Sequence, residues 1–122
     1  MESRKTILIC DDEPALRELV RAALSDGYLF AEASDGVLAL ELAREVEPDA
    51  VILDLMLPRL GGLEVLAHMQ ADDQLRTVPV VVITAWNETR EDVLAAGASD
   101  FVTKPFDPDV LRTSVEELLG GP

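Results

Sequence analysis

The sequence has little of what builds disulfide-linked folds or histidine metal centres. One of its 122 residues is a cysteine and one is a histidine. Cys10 has no second cysteine to pair with and lies in an apolar run, so we expect a buried, inert thiol rather than a nucleophile. His68 has no partner spaced for metal ligation and is expected on the surface. Because we find no signal peptide and no apolar run of 18 residues, we expect a soluble, cytoplasmic protein.

Positive charge is also scarce. Ten lysine and arginine residues stand against 24 aspartate and glutamate residues, which gives a formal net charge of -14 and a pI near 4.2. A surface of this kind repels phosphate backbones and anionic membranes. We therefore expect that this segment by itself binds neither nucleic acid nor membrane.

Short apolar runs alternate with amphipathic segments along the whole chain. The runs that predict strands span 6–10, 28–33, 50–53, 79–84 and 100–103. Helical periodicity follows each run, beginning at Pro14, Gly36 and Gly62, then over 87–96, and again from Pro108. With right-handed crossovers, this alternation predicts an α/β domain built on a doubly wound parallel sheet of order 2-1-3-4-5. The single domain would span residues 1–122, with residues 119–122 as the start of a linker or the edge of the domain.

The apolar stripes of the helices predict which side chains are buried. The predicted set is Leu16, Leu19, Val20, Ala23 and Leu24 in the first helix, Ala39, Leu42, Ala43 and Val46 in the second, Leu63, Leu66 and Ala67 in the third, and Leu111, Val115, Leu118 and Leu119 in the last.

The central strand leads directly into a carboxylate. Its residues 50–53 are continuously apolar, which is typical of a strand buried on both faces, and Asp54 follows at once. An ionisable group in that position is costly unless a neighbour favours its charge. Open α/β sheets bind ligands at the carboxyl ends of their strands, so Asp54 is a candidate functional residue. The alternative is that Asp54 only caps the next helix.

Polar side chains follow four of the five predicted strands. They are Asp11 and Asp12 after the first, Asp54 after the third, Thr84 at the end of the fourth and Lys104 after the fifth. The ends of parallel strands share one edge, so these side chains can meet. Three neighbouring carboxylates repel one another unless a cation is present, and Mg²⁺ is the hard cation that bridges carboxylates to phosphoryl groups. Lys104 and the hydroxyl of Thr84 could contact the phosphoryl oxygens.

Each of these residues also has an ordinary structural interpretation. The segment 11–14 is a good helix-capping cluster, Thr84 is typical of a strand, and a lysine such as Lys104 is usually solvated. Capping does not explain why all of them fall at strand ends. The five polar residues at the strand ends therefore favour a binding site when they are taken together, although none of them does so alone.

Four spaced motifs resemble the receiver domain of two-component response regulators, and the resemblance covers essentially the whole chain. They are I-L-I-C-D-D-E-P at 7–14, I-L-D-L-M-L-P at 52–58 followed by Gly61 and Gly62, V-I-T-A at 82–85, and G-A-S-D-F-V-T-K-P-F at 97–106. The resemblance implies a flavodoxin-like (βα)5 fold. It also implies a phosphoprotein that receives its phosphoryl group from a sensor histidine kinase or a histidine phosphotransfer protein.

The resemblance assigns roles to the acidic residues. Asp54 would be the phosphoacceptor and would form an aspartyl phosphate. Asp12 would bind Mg²⁺ directly, Asp11 largely through water, and the backbone carbonyl of Met56 would be a further ligand.

The remaining motif residues would carry the signal. Thr84 and Lys104 would contact the phosphoryl group, Lys104-Pro105 would be a cis peptide, and Phe101 stands where the family keeps its switching aromatic residue. Phosphorylation would then alter the face formed by helix 4, strand 5 and helix 5, which a downstream effector protein or domain reads, or which forms a phosphorylation-dependent dimer.

Three features depart from the family pattern. Phe101 lacks the hydroxyl of the commoner tyrosine, so an inward position would be held by packing alone. The spacing of 20 positions from Thr84 to Lys104 is shorter than usual, which predicts a shortened or displaced fourth helix. Trp86 follows Thr84 closely, and we expect its ring either to shield the site from water or to point outward as part of a partner-binding surface.

Two other functions are compatible with part of the pattern. A Mg²⁺-dependent phosphohydrolase with an aspartyl nucleophile normally has a D-x-D arrangement after its first strand and a cap domain, and this chain has adjacent Asp11 and Asp12 with no cap. A receiver-like module that is never phosphorylated would not need the complete set of site residues. Treatment with acetyl phosphate and Mg²⁺ distinguishes all three functions.

Overall fold

The computed structural model describes residues 4–24, 27–85 and 90–120. The strands are β1 (Lys5–Cys10), β2 (Tyr28–Ala33), β3 (Ala50–Asp54), β4 (Val80–Thr84) and β5 (Asp100–Thr103). The helices are α1 (Pro14–Leu24), α2 (Gly36–Val46), α3 (Gly62–Gln70), α4 (Arg90–Ala95) and α5 (Pro108–Leu119). All strand pairs are parallel and the order is β2-β1-β3-β4-β5, which confirms the predicted sheet.

The core has two layers, one on each face of the sheet. The layer under α2, α3 and α4 contains Leu8, Leu53, Leu66 and Val82, and the layer under α1 and α5 contains Ile9, Ile52, Val81 and Leu111. Alternate residues of the central strands therefore enter opposite layers, which is why these strands are apolar throughout. None of the helices within the described ranges is long and apolar enough to cross a membrane.

Two of the predicted helix faces are partly wrong. In α1 the buried residues are Val20, Ala23 and Leu24, whereas Leu19 is 57% exposed. Leu19 lies at the edge of the stripe and lines an apolar cleft of about 300 Å³ with Leu16 and Phe106.

In α3 the predicted stripe is displaced by one position. Leu63 and Ala67 are exposed, and α3 packs through Val65, Leu66 and Met69 instead. Residues 65–67 are all apolar, so periodicity alone does not choose between the two faces.

Capping side chains fix where two helices begin. Asp35 precedes α2 and accepts a hydrogen bond from the backbone N–H of Leu38 at 2.8 Å, and Asp107 precedes α5 and accepts one from Asp109 at 2.8 Å. These bonds satisfy N–H groups that have no partner inside the helix. The fourth helix was predicted over 87–96, and its described part is the six-residue α4, while residues 87–89 lie outside the described residues.

The segment after β3 is packed tightly against the start of α2. The N–H of Gly36 donates to the carbonyl of Pro58 at 3.2 Å, and a Cβ atom on Gly36 would lie 1.8 Å from the carbonyl oxygen of Leu60. Arg59 adopts a left-handed φ of 68° and pairs with Asp35 at 3.3 Å. The loop that follows Asp54 is thus held from the side by α2.

Candidate phosphoacceptor site

The site lies where β1 and β3 end side by side. Cys10 pairs with Leu53 in the sheet, so Asp11 and Asp54, the next residue of each strand, emerge next to each other. Carboxylate oxygens of Asp11, Asp12 and Asp54 lie within 4.8 Å of one another. Asp11 and Asp54 are buried, at 5% and 3% exposure, and Asp12 is exposed. The cluster therefore has a buried floor and one side chain open to water.

Lys104 brings a positive charge into this cluster from the far side of β4. Its Nζ donates to Asp54 Oδ2 at 2.9 Å and to Asp11 Oδ2 at 3.2 Å, and the Lys104-Pro105 peptide is cis. Burial acts to lower the pKa of Lys104, but the hydrogen bond to Asp54 and the charges of both carboxylates outweigh it and raise the pKa. Lys104 is therefore firmly charged in the folded protein.

The two buried carboxylates share this one ammonium. Burial raises the pKa of Asp11, and the charge of Asp54 adds to that effect, against the lowering caused by the N–H of Glu13 and by Lys104. With Asp12 included, three carboxylates lie close together, and within the described residues Lys104 is the one cation paired with their oxygens, which leaves negative charge uncompensated. The cluster is therefore suited to bind a further cation.

Backbone hydrogen bonds hold the two acidic loops in place. Asp11 accepts from the N–H of Glu13 through Oδ1 at 3.0 Å, and its own N–H donates to the carbonyl of Ala33 at 3.1 Å. Asp54 accepts from the N–H of Met56 through Oδ1 at 3.0 Å. One oxygen of each buried carboxylate is thus oriented by its own loop, while the other faces Lys104.

The donor set fits Mg²⁺. It consists of carboxylate oxygens only, and the exposure of Asp12 leaves room for the water molecules that Mg²⁺ usually retains. Met56 is 53% exposed in the loop directly after Asp54.

Thr84 and Phe101 lie on β4 and β5, the two strands on one side of the acidic cluster. Thr84 ends β4 and is fully buried, and it pairs with Thr103 of β5. Phe101 is half-buried and packs against the core layer under α2, α3 and α4. The structure thus places both residues on the β4–β5 side of the site. Trp86 lies outside the described residues.

Two sets of contacts were not predicted, one beside the acidic cluster and one at the start of β5. Arg17 of α1 reaches the backbone of Asp11, and Asp100 joins Arg90 of α4, its own strand and Ser114 of α5. The signal for Arg17 was weak, since an arginine next to an apolar stripe is common on helix surfaces. Asp100 carried no signal, because its side-chain partners on α4 and α5, Arg90 and Ser114, lie 10 and 14 positions away in the sequence.

Comparison with known proteins agrees with this geometry. The model of a family described as "Response regulator receiver domain" matches residues 7–116. The DNA-binding response regulator MtrA of Mycolicibacterium smegmatis is 41% identical over 119 residues, which cover 95% of this chain and 51% of that protein. The response regulator MprA of Mycobacterium sp. strain KMS is 44% identical over 118 residues, or 93% of this chain and 50% of that protein. The chain thus spans about half the length of these curated relatives.

A solved structure shows the same fold. The chemotaxis response regulator CheY4 of Vibrio cholerae superimposes with a TM-score of 0.86 at 28% identity, covering 96% of this chain and all of that one.

Proposed function

This chain belongs to the response regulator receiver family of two-component systems, and we propose that it accepts a phosphoryl group on Asp54 from a phosphohistidine. The donor would be a sensor histidine kinase or a histidine phosphotransfer protein. The observation that carries the proposal is the position of Asp54, a nearly fully buried carboxylate beside two others and 2.9 Å from a lysine. A carboxylate that only caps a helix does not require burial beside two other carboxylates and a lysine.

The residues of the site supply what phosphoryl transfer requires. An oxygen of Asp54 would form the new bond to phosphorus as the bond to the histidine nitrogen breaks, with the electron pair returning to the imidazole. Asp11, Asp12, Asp54 and the carbonyl of Met56 would hold Mg²⁺, which would neutralise charge on the phosphoryl oxygens and align them. Lys104 already lies beside Asp54, and with Thr84 it would contact the transferred group.

Phosphorylation would then be read on another surface. An acyl phosphate adds nearly two negative charges at the end of β3. Movement of Thr84 towards it would leave space beside β5 that Phe101 could fill by packing, since its ring has no hydroxyl. The face formed by α4, β5 and α5 would change, and a downstream effector or a second copy of the chain would bind to it. The greater length of the relatives supports an effector domain as the reader.

We also propose that residues 1–122 form one domain that acts in the cytoplasm as a signalling unit, assisting its own phosphorylation and dephosphorylation. The strongly acidic composition supports protein partners over nucleic acid or membrane for this segment.

Intact-mass analysis after treatment with acetyl phosphate and Mg²⁺ tests the phosphoacceptor. The wild-type chain should gain the mass of one phosphoryl group, and Asp54→Asn should gain none. Asp73→Asn is the matched control, because Asp73 is exposed and lies outside the cluster. A phosphoryl adduct on Asp54→Asn would move the acceptor elsewhere. Phosphate release that persists in Asp54→Asn would indicate a phosphohydrolase with another nucleophile, and no reaction of the wild-type chain would indicate a binding module.

Thermal denaturation with and without Mg²⁺ tests the metal site separately. The unfolded chain cannot assemble the cluster, so Mg²⁺ at about one hundred times its Kd should stabilise the fold by about 2.7 kcal/mol. Asp12→Asn should lose most of this response. An Asp12→Asn protein that responds as wild type does would place the ion elsewhere.

A further inference from the structure

Arg17 connects the acidic loop after β1 to the neighbouring strand β2. Its Nη1 donates to the backbone carbonyl of Asp11 at 2.6 Å, and its Nε donates to Glu32 Oε1 at 2.8 Å. The side chain of Arg17 is only 16% exposed. Arg21, one helical turn further, binds the other oxygen of Glu32 at 2.6 Å. Both oxygens of Glu32 are therefore engaged, and the guanidinium of Arg17 is fixed at both ends.

The carbonyl that Arg17 binds belongs to the peptide unit between Asp11 and Asp12. Because a peptide unit is planar, fixing its oxygen also fixes the direction of the Asp12 N–H and restricts where the Asp12 side chain starts. Asp12 is otherwise exposed, unlike the buried Asp11 and Asp54. Of the three carboxylates, the least buried one thus begins at a peptide held by a charge-assisted hydrogen bond.

We infer that Arg17, supported by Glu32, is a positioning residue for the Mg²⁺ site. It does not contact the ion. It holds the Asp11–Asp12 peptide so that the carboxylate of Asp12 is presented to the site before the ion arrives. Outer residues that orient metal ligands in this way commonly change metal affinity by about 10- to 100-fold when they are removed. This inference rests on the proposed function, because it requires that the cluster binds Mg²⁺.

Electrostatics gives the opposite expectation, which makes the inference testable. Arg17 is a cation close to a site that binds a cation, so removing its charge should strengthen Mg²⁺ binding if charge were its only effect. Removing a positioning residue should weaken binding instead. The sign of the change in Kd therefore separates the two effects.

Isothermal titration calorimetry with Mg²⁺ provides the measurement. Arg17→Gln should raise the Kd by about tenfold, and Glu32→Gln should raise it by about threefold, because Arg17 then keeps its bond to Asp11 but loses its support. Arg44→Gln is the matched control. It removes the same charge and one arginine–carboxylate pair, with Asp72, at a site between α2 and the end of α3. Its Kd should equal that of wild type.

A purely structural effect is separated by measuring each protein without Mg²⁺. Circular dichroism and the midpoint of urea unfolding show whether a variant is folded. An unchanged or lower Kd in folded Arg17→Gln would overturn the inference. If that variant does not fold, Arg17→Lys decides: it keeps the positive charge but loses the forked guanidinium that binds Asp11 and Glu32 together, so a wild-type Kd in it overturns the inference equally. Absence of Mg²⁺ binding in the wild-type protein would overturn the proposed metal site itself, which is a different result.

Discussion

The ammonium of Lys104 lies 2.9 Å from the carboxylate of Asp54, and the same nitrogen lies 3.2 Å from Asp11. One cation thus serves two nearly buried anions. Each of the two carboxylates would otherwise be left in a poorly hydrated position without a counter-charge, which costs several kcal/mol for an ion. Lys104 therefore supplies the counter-charge that stabilises the buried Asp11 and Asp54 in the absence of a metal ion.

Lys104→Met should therefore destabilise the protein in the absence of Mg²⁺ by about 3 kcal/mol, since it leaves two buried carboxylates unpaired. Urea unfolding at neutral pH without divalent ions measures this difference. Mg²⁺ should stabilise the variant more than the wild type, because the ion replaces a missing cation. Arg76→Met, which removes an exposed charge paired with Asp73, should show neither effect. Equal stability of Lys104→Met and wild type would contradict the proposed charge balance.

Asp100 should make the stability of the fold depend on pH. Burial acts to raise its pKa, but hydrogen bonds from the Ser114 hydroxyl and the Phe101 N–H, with the nearby charge of Arg90, hold the pKa of Asp100 below its ordinary value. A folded-state pKa below the unfolded value of about 3.9 stabilises the protein above that pH, and the contribution is lost as the pH falls through the folded-state pKa.

Asp100→Asn should accordingly lower the free energy of unfolding by about 1 kcal/mol at pH 7. The difference from wild type should stay constant down to about pH 5 and shrink below about pH 3.9. Urea unfolding across this range tests it, with Asp73→Asn as the exposed control. A difference that does not change with pH would show that the carboxylate charge of Asp100 is not what stabilises this contact.

Gly36→Ala should destabilise the fold by about 3 kcal/mol, because the added Cβ would lie 1.8 Å from the carbonyl oxygen of Leu60 and the loop would have to move. Gly61→Ala, in the loop that contains Leu60, is the matched substitution. Its Cβ would lie 3.5 Å from Glu64 and 4.0 Å from the carbonyl oxygen of Leu55, which are ordinary contact distances, so its effect should stay below about 1 kcal/mol. Urea unfolding of both proteins measures the contrast, and equal effects would show that the loop yields freely.

Tyr28→Phe should stabilise the protein by about 1 kcal/mol. The Tyr28 hydroxyl is buried and has no hydrogen-bond partner among the described residues, and burial together with the charge of Glu116 raises its pKa. The ring itself packs on Phe30 with centroids 6.4 Å apart. Tyr28→Leu should therefore be destabilising, which separates the ring from the hydroxyl in thermal or urea unfolding. A destabilised Tyr28→Phe would mean that the hydroxyl is bonded, for instance to water.

The fold could be predicted because its signals are local and repeated. A buried central strand must be apolar on both faces, and a carboxylate at its end is visible in the sequence without any knowledge of its neighbours. The gathering of Asp11, Asp54 and Lys104 followed from the rule that parallel strands end at one edge. Their roles in phosphoryl transfer remain predictions.

Other features could not be predicted because they depend on partners far away in the chain. The face that α3 buries is ambiguous within 65–67, and only packing against the sheet selects Val65 over Ala67. The contact of Gly36 with Leu60 joins the start of α2 to the loop after β3, and the reach of Arg17 to Asp11 depends on Glu32 holding the guanidinium. Sequence periodicity indicates which residues are apolar, but not which polar side chains contact each other between separate elements of the fold.

The distances in sequence between the site residues determine when the site can first exist. Lys104 is 93 positions from Asp11 and 50 positions from Asp54. A chain emerging from the ribosome carries every carboxylate of the cluster by residue 54, but it lacks the ammonium until residue 104 has left the exit tunnel. Until β5 joins the sheet, the acidic residues have no lysine to neutralise them, and such long-range pairings form late. The complete cluster of Asp11, Asp54 and Lys104 therefore assembles only after β5 has joined the sheet.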